Sequence, residues 1–466
     1  MNPQSSFDIA RNIIIVQERV LSKTIQKDNF LSRHKAKFIR IIIFVITLVV
    51  SAIIGYFVFA RTPIQKSTAS TSTTALINLT TKITTSLSST NSRATTISTT
   101  TVRTSTMSSS TSSSLNSSNI TCPSLPFSSY ISYSTGTAPW SISIADLDND
   151  NKKDIIVLNS NDGNLGIYFN QGNGTFQIPI LVQTSINPAF ITCTDLNNDN
   201  ISDLVVTQTS SNSLGLFLGF GNKNFSSRMN IPVGLYPYWV GIADFNKDKN
   251  LDLIATNCYE NTVSILFGYS NESFISVNTA ATGSGPTGLA IADFNSDNYS
   301  DFVVTDYNSN TVSLFINYGN GSFQQRVSYS TGTSPWGIAI ADFNHDDSMD
   351  IVIVNYGSNT MSLLLGNGNG TLRSQKSYST GQYPMSVAVG DLNNDTHIDI
   401  VVANYYNNYL SVFRGYGDGN FTTAMSLTTD WYVTSVAIAD LNGDGRLDIA
   451  ATTQYSKTLN ILFNIC

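Results

Sequence analysis

One acidic segment recurs seven times in the chain, and each copy starts 49 residues after the one before. The copies read ADLDNDNKKD, TDLNNDNISD, ADFNKDKNLD, ADFNSDNYSD, ADFNHDDSMD, GDLNNDTHID and ADLNGDGRLD. A fixed period of this length restricts a chain to repeated copies of one supersecondary unit, stacked in a line or arranged about an axis. Seven units fill Ser124 to Cys466 without remainder. The period suits a blade of four short strands, so the expected fold is all-β, a seven-bladed β-propeller.

Each unit supports four strands. Before every acidic segment lies an alternating stretch such as SISIA (Ser141 to Ala145) or GIAIA (Gly337 to Ala341), the period-2 signature of a strand. The residue preceding the first aspartate is Ala, Thr or Gly in every copy, and the one before that is Ile, Val or Cys. Small on one side and bulky on the other suits an innermost strand crowded near an axis. Two apolar strands follow, as in DIVIVN (Asp350 to Asn355) and TMSLLLG (Thr360 to Gly366). A Gly/Asn turn such as GNGNG (Gly366 to Gly370) then leads into a fourth. An open solenoid, the rival architecture, would need distinct capping repeats.

The ends of the array favour closure instead. The repeats begin at the fourth-strand position, Phe127, in register with Phe176, Phe225, Phe274, Phe323, Leu372 and Phe421, and end after the third strand of the last unit. The N-terminal strand is therefore expected to complete blade seven. The same period carries Cys466 to a place beside Cys122, which predicts a Cys122–Cys466 disulfide at the seam. Cys193 and Cys258 read as free core thiols rather than a bridge.

The acidic segments follow D-x-[DN]-x-D-x-x-x-D, with side-chain oxygens at positions 1, 3, 5 and 9 and a backbone carbonyl expected at 7. The candidate metal ligands are Asp146, Asp148, Asp150 and Asp154; Asp195, Asn197, Asp199 and Asp203; Asp244, Asn246, Asp248 and Asp252; Asp293, Asn295, Asp297 and Asp301; Asp342, Asn344, Asp346 and Asp350; Asp391, Asn393, Asp395 and Asp399; and Asp440, Asn442, Asp444 and Asp448. Such hard-oxygen sets point to Ca²⁺. They hold 22 of the 32 acidic residues, a concentration that would repel itself without a cation. The bland alternative is a set of turns held by Asx hydrogen bonds alone. No Glu stands at position 12 and strands flank the loop, so these are not EF-hands.

With the loops and the Gly/Asn turns in view, for example GNGSF at Gly319 to Phe323, the units resemble the FG-GAP (VCBS-type) repeats of integrin α propellers. The resemblance covers Ser124 to Cys466. It implies a calcium-binding propeller used in adhesion or ligand recognition.

The first 123 residues differ in character. Residues 41–60, IIIFVITLVVSAIIGYFVFA, carry no charge and are long enough to span a bilayer as a helix. A cleavable signal peptide would have a shorter apolar core and a cleavage site soon after. Lys23, Lys27, Arg33, Lys35, Lys37 and Arg40 precede the span, which places residues 1–40 in the cytosol. The expected localisation is the plasma membrane, single-pass type II, with the propeller outside. Residues 61–121 form a Ser/Thr-rich stalk: between Thr62 and Thr121, 36 of 60 residues are Ser or Thr and none is acidic or aromatic. It reads as a mucin-like spacer or as an unmodified linker. Residues 122–466 are the propeller domain. Twelve N-x-[ST] sequons suit an exported, glycosylated chain.

The formal charge of −7 excludes the basic footprint of a nucleic-acid binder. A catalytic triad lacks a base, since the histidines are His34, near the membrane, and His345 and His397, inside acidic loops. No enzyme is therefore expected. Strand alternation gathers aromatic side chains on the face opposite the loops, which favours an extracellular protein or carbohydrate ligand, the membrane span being the other contact. The alternatives are a carbohydrate-active hydrolase or lyase using acids of that face (Asp162, Glu260, Asp306, Asp430), and a spacer without ligand.

Overall fold

The computed structural model describes residues 126–270 and 273–465. The tail, span and stalk expected in residues 1–121, and both Cys122 and Cys466, lie outside them. Among the described residues no helix is long and apolar enough to cross a membrane.

Seven four-stranded antiparallel sheets form seven blades. Blade one comprises Pro139–Ala145, Asp154–Asn159, Asn164–Tyr168 and Ile180–Gln183, counted from the inside outward. Blades two to six repeat this order from Pro188–Thr194 to Met425–Thr428. Blade seven takes Val433–Ala439, Asp448–Thr453 and Thr458–Leu462 from the end of the chain and Ile131–Ser134 from its beginning. The closing strand pairs Ile131 with Ile461 and Ser134 with Thr458. Pro126 and Ile465 also share a backbone hydrogen bond of 3.0 Å. Closure by the N-terminal strand is thus as the period predicts.

One detail differs. Phe127, Phe176, Phe225, Phe323, Leu372 and Phe421 do not begin the fourth strands; each forms an isolated bridge just ahead. Phe176, Leu372 and Phe421 are buried, so the apolar side chain anchors the turn while the strand proper starts later. Only blade three runs unbroken from its phenylalanine, over Phe274–Ala281.

Second strands are buried at every residue, as in Asp154–Asn159 and Asp350–Asn355. The apolar core is divided among seven clusters, each bridging two neighbouring blades. Ile156 and Leu158 of blade one pack with Leu204 and Val206 of blade two. Ile155 and Val157 pack with Leu459 and Ile461 of blade seven, which closes the ring. Alternate residues of one strand thus serve two interfaces, and this is why the second strands read as continuous apolar runs.

Candidate functional site

Two faces result. The acidic loops, joining first to second strands, and the Gly/Asn turns, joining third to fourth, occupy one. The remaining loops occupy the other.

On the loop face the seven acidic segments share one backbone path. Positions 4 and 6 adopt positive φ in every copy, for example Asn149 (60°) and Asn151 (63°), or Gly443 (79°) and Gly445 (82°). Asn tolerates this region best among side-chain-bearing residues. The turn aims backbone amides inward. Asp150 and Asn151 donate N–H bonds to the two carboxylate oxygens of Asp146, at 3.2 and 2.8 Å. The same pair recurs in the other loops, as on Asp342 from Asp346 and Asp347.

Position 9 plays a part the sequence did not reveal. Asp154 is fully buried, and its oxygens accept from Leu147 N (3.0 Å) and Asn170 N (2.8 Å). All seven such aspartates make this clasp, down to Asp448 with Leu441 N and Asn464 N. Each one ties the acidic loop to the end of the third strand. Burial, against the pull of the two N–H groups, pushes six of these carboxyls up to about 6 and Asp399 up to about 7.

The donor chemistry suits a hard cation. In the first loop one oxygen each of Asp146, Asp148 and Asp154 lie within 4.8 Å of one another. Asp148 Oδ1 is buried without a hydrogen-bond partner, while Oδ2 lies 3.3 Å from Lys223 Nζ. In the other six loops position 3 is Asn, and in all six its amide donates to the position 5 carboxylate, as Asn295 does to Asp297 at 2.8 Å.

On the opposite face the aromatic side chains meet. Trp336 packs edge-on against Tyr238 (5.2 Å between centroids) and Tyr307 (5.3 Å). The arc continues through Tyr356, Tyr383, Tyr406 and Tyr432 to Tyr455. Trp140 donates Nε1–H to the Tyr238 hydroxyl at 3.1 Å, and Tyr236 stacks on Tyr259. Phe190, Tyr432 and Tyr455 belong to this face too. Their repeat positions, in phase with the other aromatic residues of the face, carry that signal in the sequence. Tyr259, Tyr406, Trp431 and Tyr455 are half exposed or more. At the centre of this face a cavity of about 170 Å³ opens on the axis, lined by first-strand residues of blades one, two, three, five, six and seven.

Three acids of this face, Asp162, Asp306 and Asp430, are engaged. Asp306 is fully buried and accepts from Gly283 N, Thr311 Oγ1 and Ser313 Oγ. It stands where neighbouring blades use Asn257 and Asn355, whose amides donate to the equivalent third-strand hydroxyls of Ser264 and Ser362. Asp162 accepts from Thr137 N at 2.6 Å. Burial would raise Asp430, but Thr458, Asn460, Tyr130 and Ser132 hold it below the usual range. On the loop face, His345 and His397 contact each other across blades five and six, 3.0 Å apart. Cys193 and Cys258 are free thiols, as expected.

The sequence profile of the FG-GAP-like repeat matches residues 146–206, 195–255, 244–304, 293–353, 342–402 and 391–451. The chain belongs to this FG-GAP-like repeat family. The family's unit runs from one acidic loop to the second strand of the next blade, so it straddles the inter-blade interface that carries the core. No curated protein matches the chain. Among solved structures, the FG-GAP-like propeller is similar to BBS1N in complex with ARL6DN, soaked with lead, at 12% identity, covering 72% of this chain and 97% of that one, with a TM-score of 0.55. A protein from Lactobacillus plantarum is similar at 14% identity, covering 64% and 86%, with a TM-score of 0.49. At these identities the likeness speaks to the fold alone.

Proposed function

We propose that this FG-GAP-like propeller is a calcium-loaded recognition module, held at the plasma membrane by a type II anchor and a Ser/Thr-rich stalk. Its aromatic face would bind a protein or carbohydrate ligand without turnover. The observation that carries this reading is the contrast between the faces. The loop face repeats one motif seven times, as a scaffold does, whereas the aromatic face differs from blade to blade. Tyr and Trp of this kind supply contact area at low entropic cost.

The sequons support the same side. Asn173, Asn200, Asn224, Asn298, Asn320, Asn369, Asn394 and Asn420 all fall in acidic loops or third-to-fourth turns, so attached glycans would leave the aromatic face bare. The chain also enters on the loop side, where Phe127 meets Asn464. BBS1N, which shares the fold, was crystallised in complex with ARL6DN. Calcium at positions 1, 3, 5 and 9 of each loop would supply positive charge to carboxylates that otherwise face one another, locking the loops without touching the ligand.

The test is binding of the full-length chain to a glycan array and to intact cells, with wild type beside a Tyr406→Ala, Trp431→Ala double variant. Binding is expected to fall at least tenfold in the variant. Equal binding by both proteins would remove the aromatic face from the account.

A further inference from the structure

The axial cavity deepens this reading and rests on it. In each blade the third residue of the first strand reaches the axis, and around the ring this one repeat position supplies Ser141, Phe190, Trp239, Gly288, Gly337, Ser386 and Ser435. At this position the repeat splits into an aromatic arc, a glycine gap and a hydroxyl arc. The glycines have a structural cause. A Cβ on Gly288 would stand 2.4 Å from the Trp336 carbonyl oxygen, and one on Gly337 2.5 Å from that of Met385. In the hydroxyl arc Ser386 Oγ accepts from Val436 N at 3.2 Å, but Ser141, only 4% exposed, has no hydrogen-bond partner for its Oγ. A buried hydroxyl is normally satisfied by protein, water or ligand.

We propose that the axial cavity is the subsite for one uncharged pyranose ring, the end of a neutral glycan. A pyranose offers an apolar C–H face to the aromatic arc of Phe190 and Trp239, and hydroxyls to Ser141, Ser386 and Ser435, all of which line the cavity. No charged side chain lines the cavity, so a carboxylate or phosphate would lose its water without gaining a counter-ion. The volume of about 170 Å³ suits a single six-membered ring, since a cavity of about 150 Å³ accepts benzene. Further sugars would lie outward, over the tyrosine arc. An apolar side chain of a protein partner fits less well, because it would leave the Ser141 hydroxyl unmet.

The experiment titrates the full-length chain with the methyl pyranosides of glucose, galactose, mannose and N-acetylglucosamine, with methyl glucuronide and sialic acid as charged controls. Tryptophan fluorescence and saturation-transfer NMR are the readouts. At least one neutral pyranoside is expected to bind saturably, with the charged sugars at least tenfold weaker. Ser141→Ala and Ser435→Val should each weaken binding about tenfold while leaving the melting temperature within a few degrees. Binding that ignores both serine variants, or no binding by any neutral pyranoside, overturns the proposal. So does preferential binding of N-acetyl-leucinamide in the cavity, which would make the occupant a protein side chain. If the outer Tyr406→Ala, Trp431→Ala variant abolishes cell or array binding while the serine variants do nothing, the subsite fails and the recognition face stands. If neither set changes any binding, both readings fail.

Discussion

Within a single loop, positions 5 and 9 look alike in sequence and differ in the fold. Asp350 is fully buried and clasps Phe343 N and Gly366 N, whereas Asp346 is exposed and accepts from Asn344 Nδ2, Ser348 N and Arg373 at the surface. Asp350→Ala should therefore cost roughly 2–4 kcal/mol whether or not calcium is present, because two buried N–H groups lose their acceptor. Asp346→Ala should change the chelated protein little and remove one equivalent of bound Ca²⁺; urea denaturation with EDTA or with calcium separates the two. The clasps also fix a pH dependence. Their carboxyls rise from the usual 3.8 to about 6 in the fold, so folding favours the protonated form. In the metal-free protein that stabilisation is complete below about pH 4 and lost as pH rises through 6 to 7. A cation prefers the ionised form, so calcium should raise the melting temperature strongly at pH 7 and barely at pH 4. Equal shifts at both values in a thermal scan would show that the loops do not hold the ion through these groups.

Strands and blades were largely legible, because the period, the alternation and the Gly/Asn turns all register the same unit. Asp350–Asn355 emerged as read, and Ile131–Ser134 closes blade seven as the phase of the repeat requires. What stayed hidden depends on packing across blades. The clasp of position 9 needs the third-strand amide 16 residues on, as from Asp154 to Asn170. The axial ring needs all seven units laid over one another before Ser141, Phe190 and Trp239 appear as one level. Removing residues 126–134 should expose the edge of Thr458–Leu462 as an unpaired template. The expected outcome is a lower melting temperature and self-association by size-exclusion chromatography; an unchanged monomer would mean that the closing strand contributes little.

For the whole molecule, two measurements bear on export and closure. Treatment with an N-glycosidase should reduce the mass of the chain taken from cells, and the sites recovered should include Asn173, Asn320 and Asn369, all exposed in turns of the loop face. Peptide mapping without reduction should recover Cys122 joined to Cys466, a bridge enclosing over 300 residues that the loop-entropy account values at about 4–5 kcal/mol. Free thiols at both positions would refute it. Blade seven also bears on biosynthesis. Ile131 leaves the ribosome long before its partner Ile461, with blades one to six made between them. During synthesis the early strand must wait without its mate, while blades one to six gather behind it. No product of translation that stops before Thr458 can close, so a nonsense codon anywhere ahead of it should yield an open ring that quality control removes rather than a slightly smaller propeller.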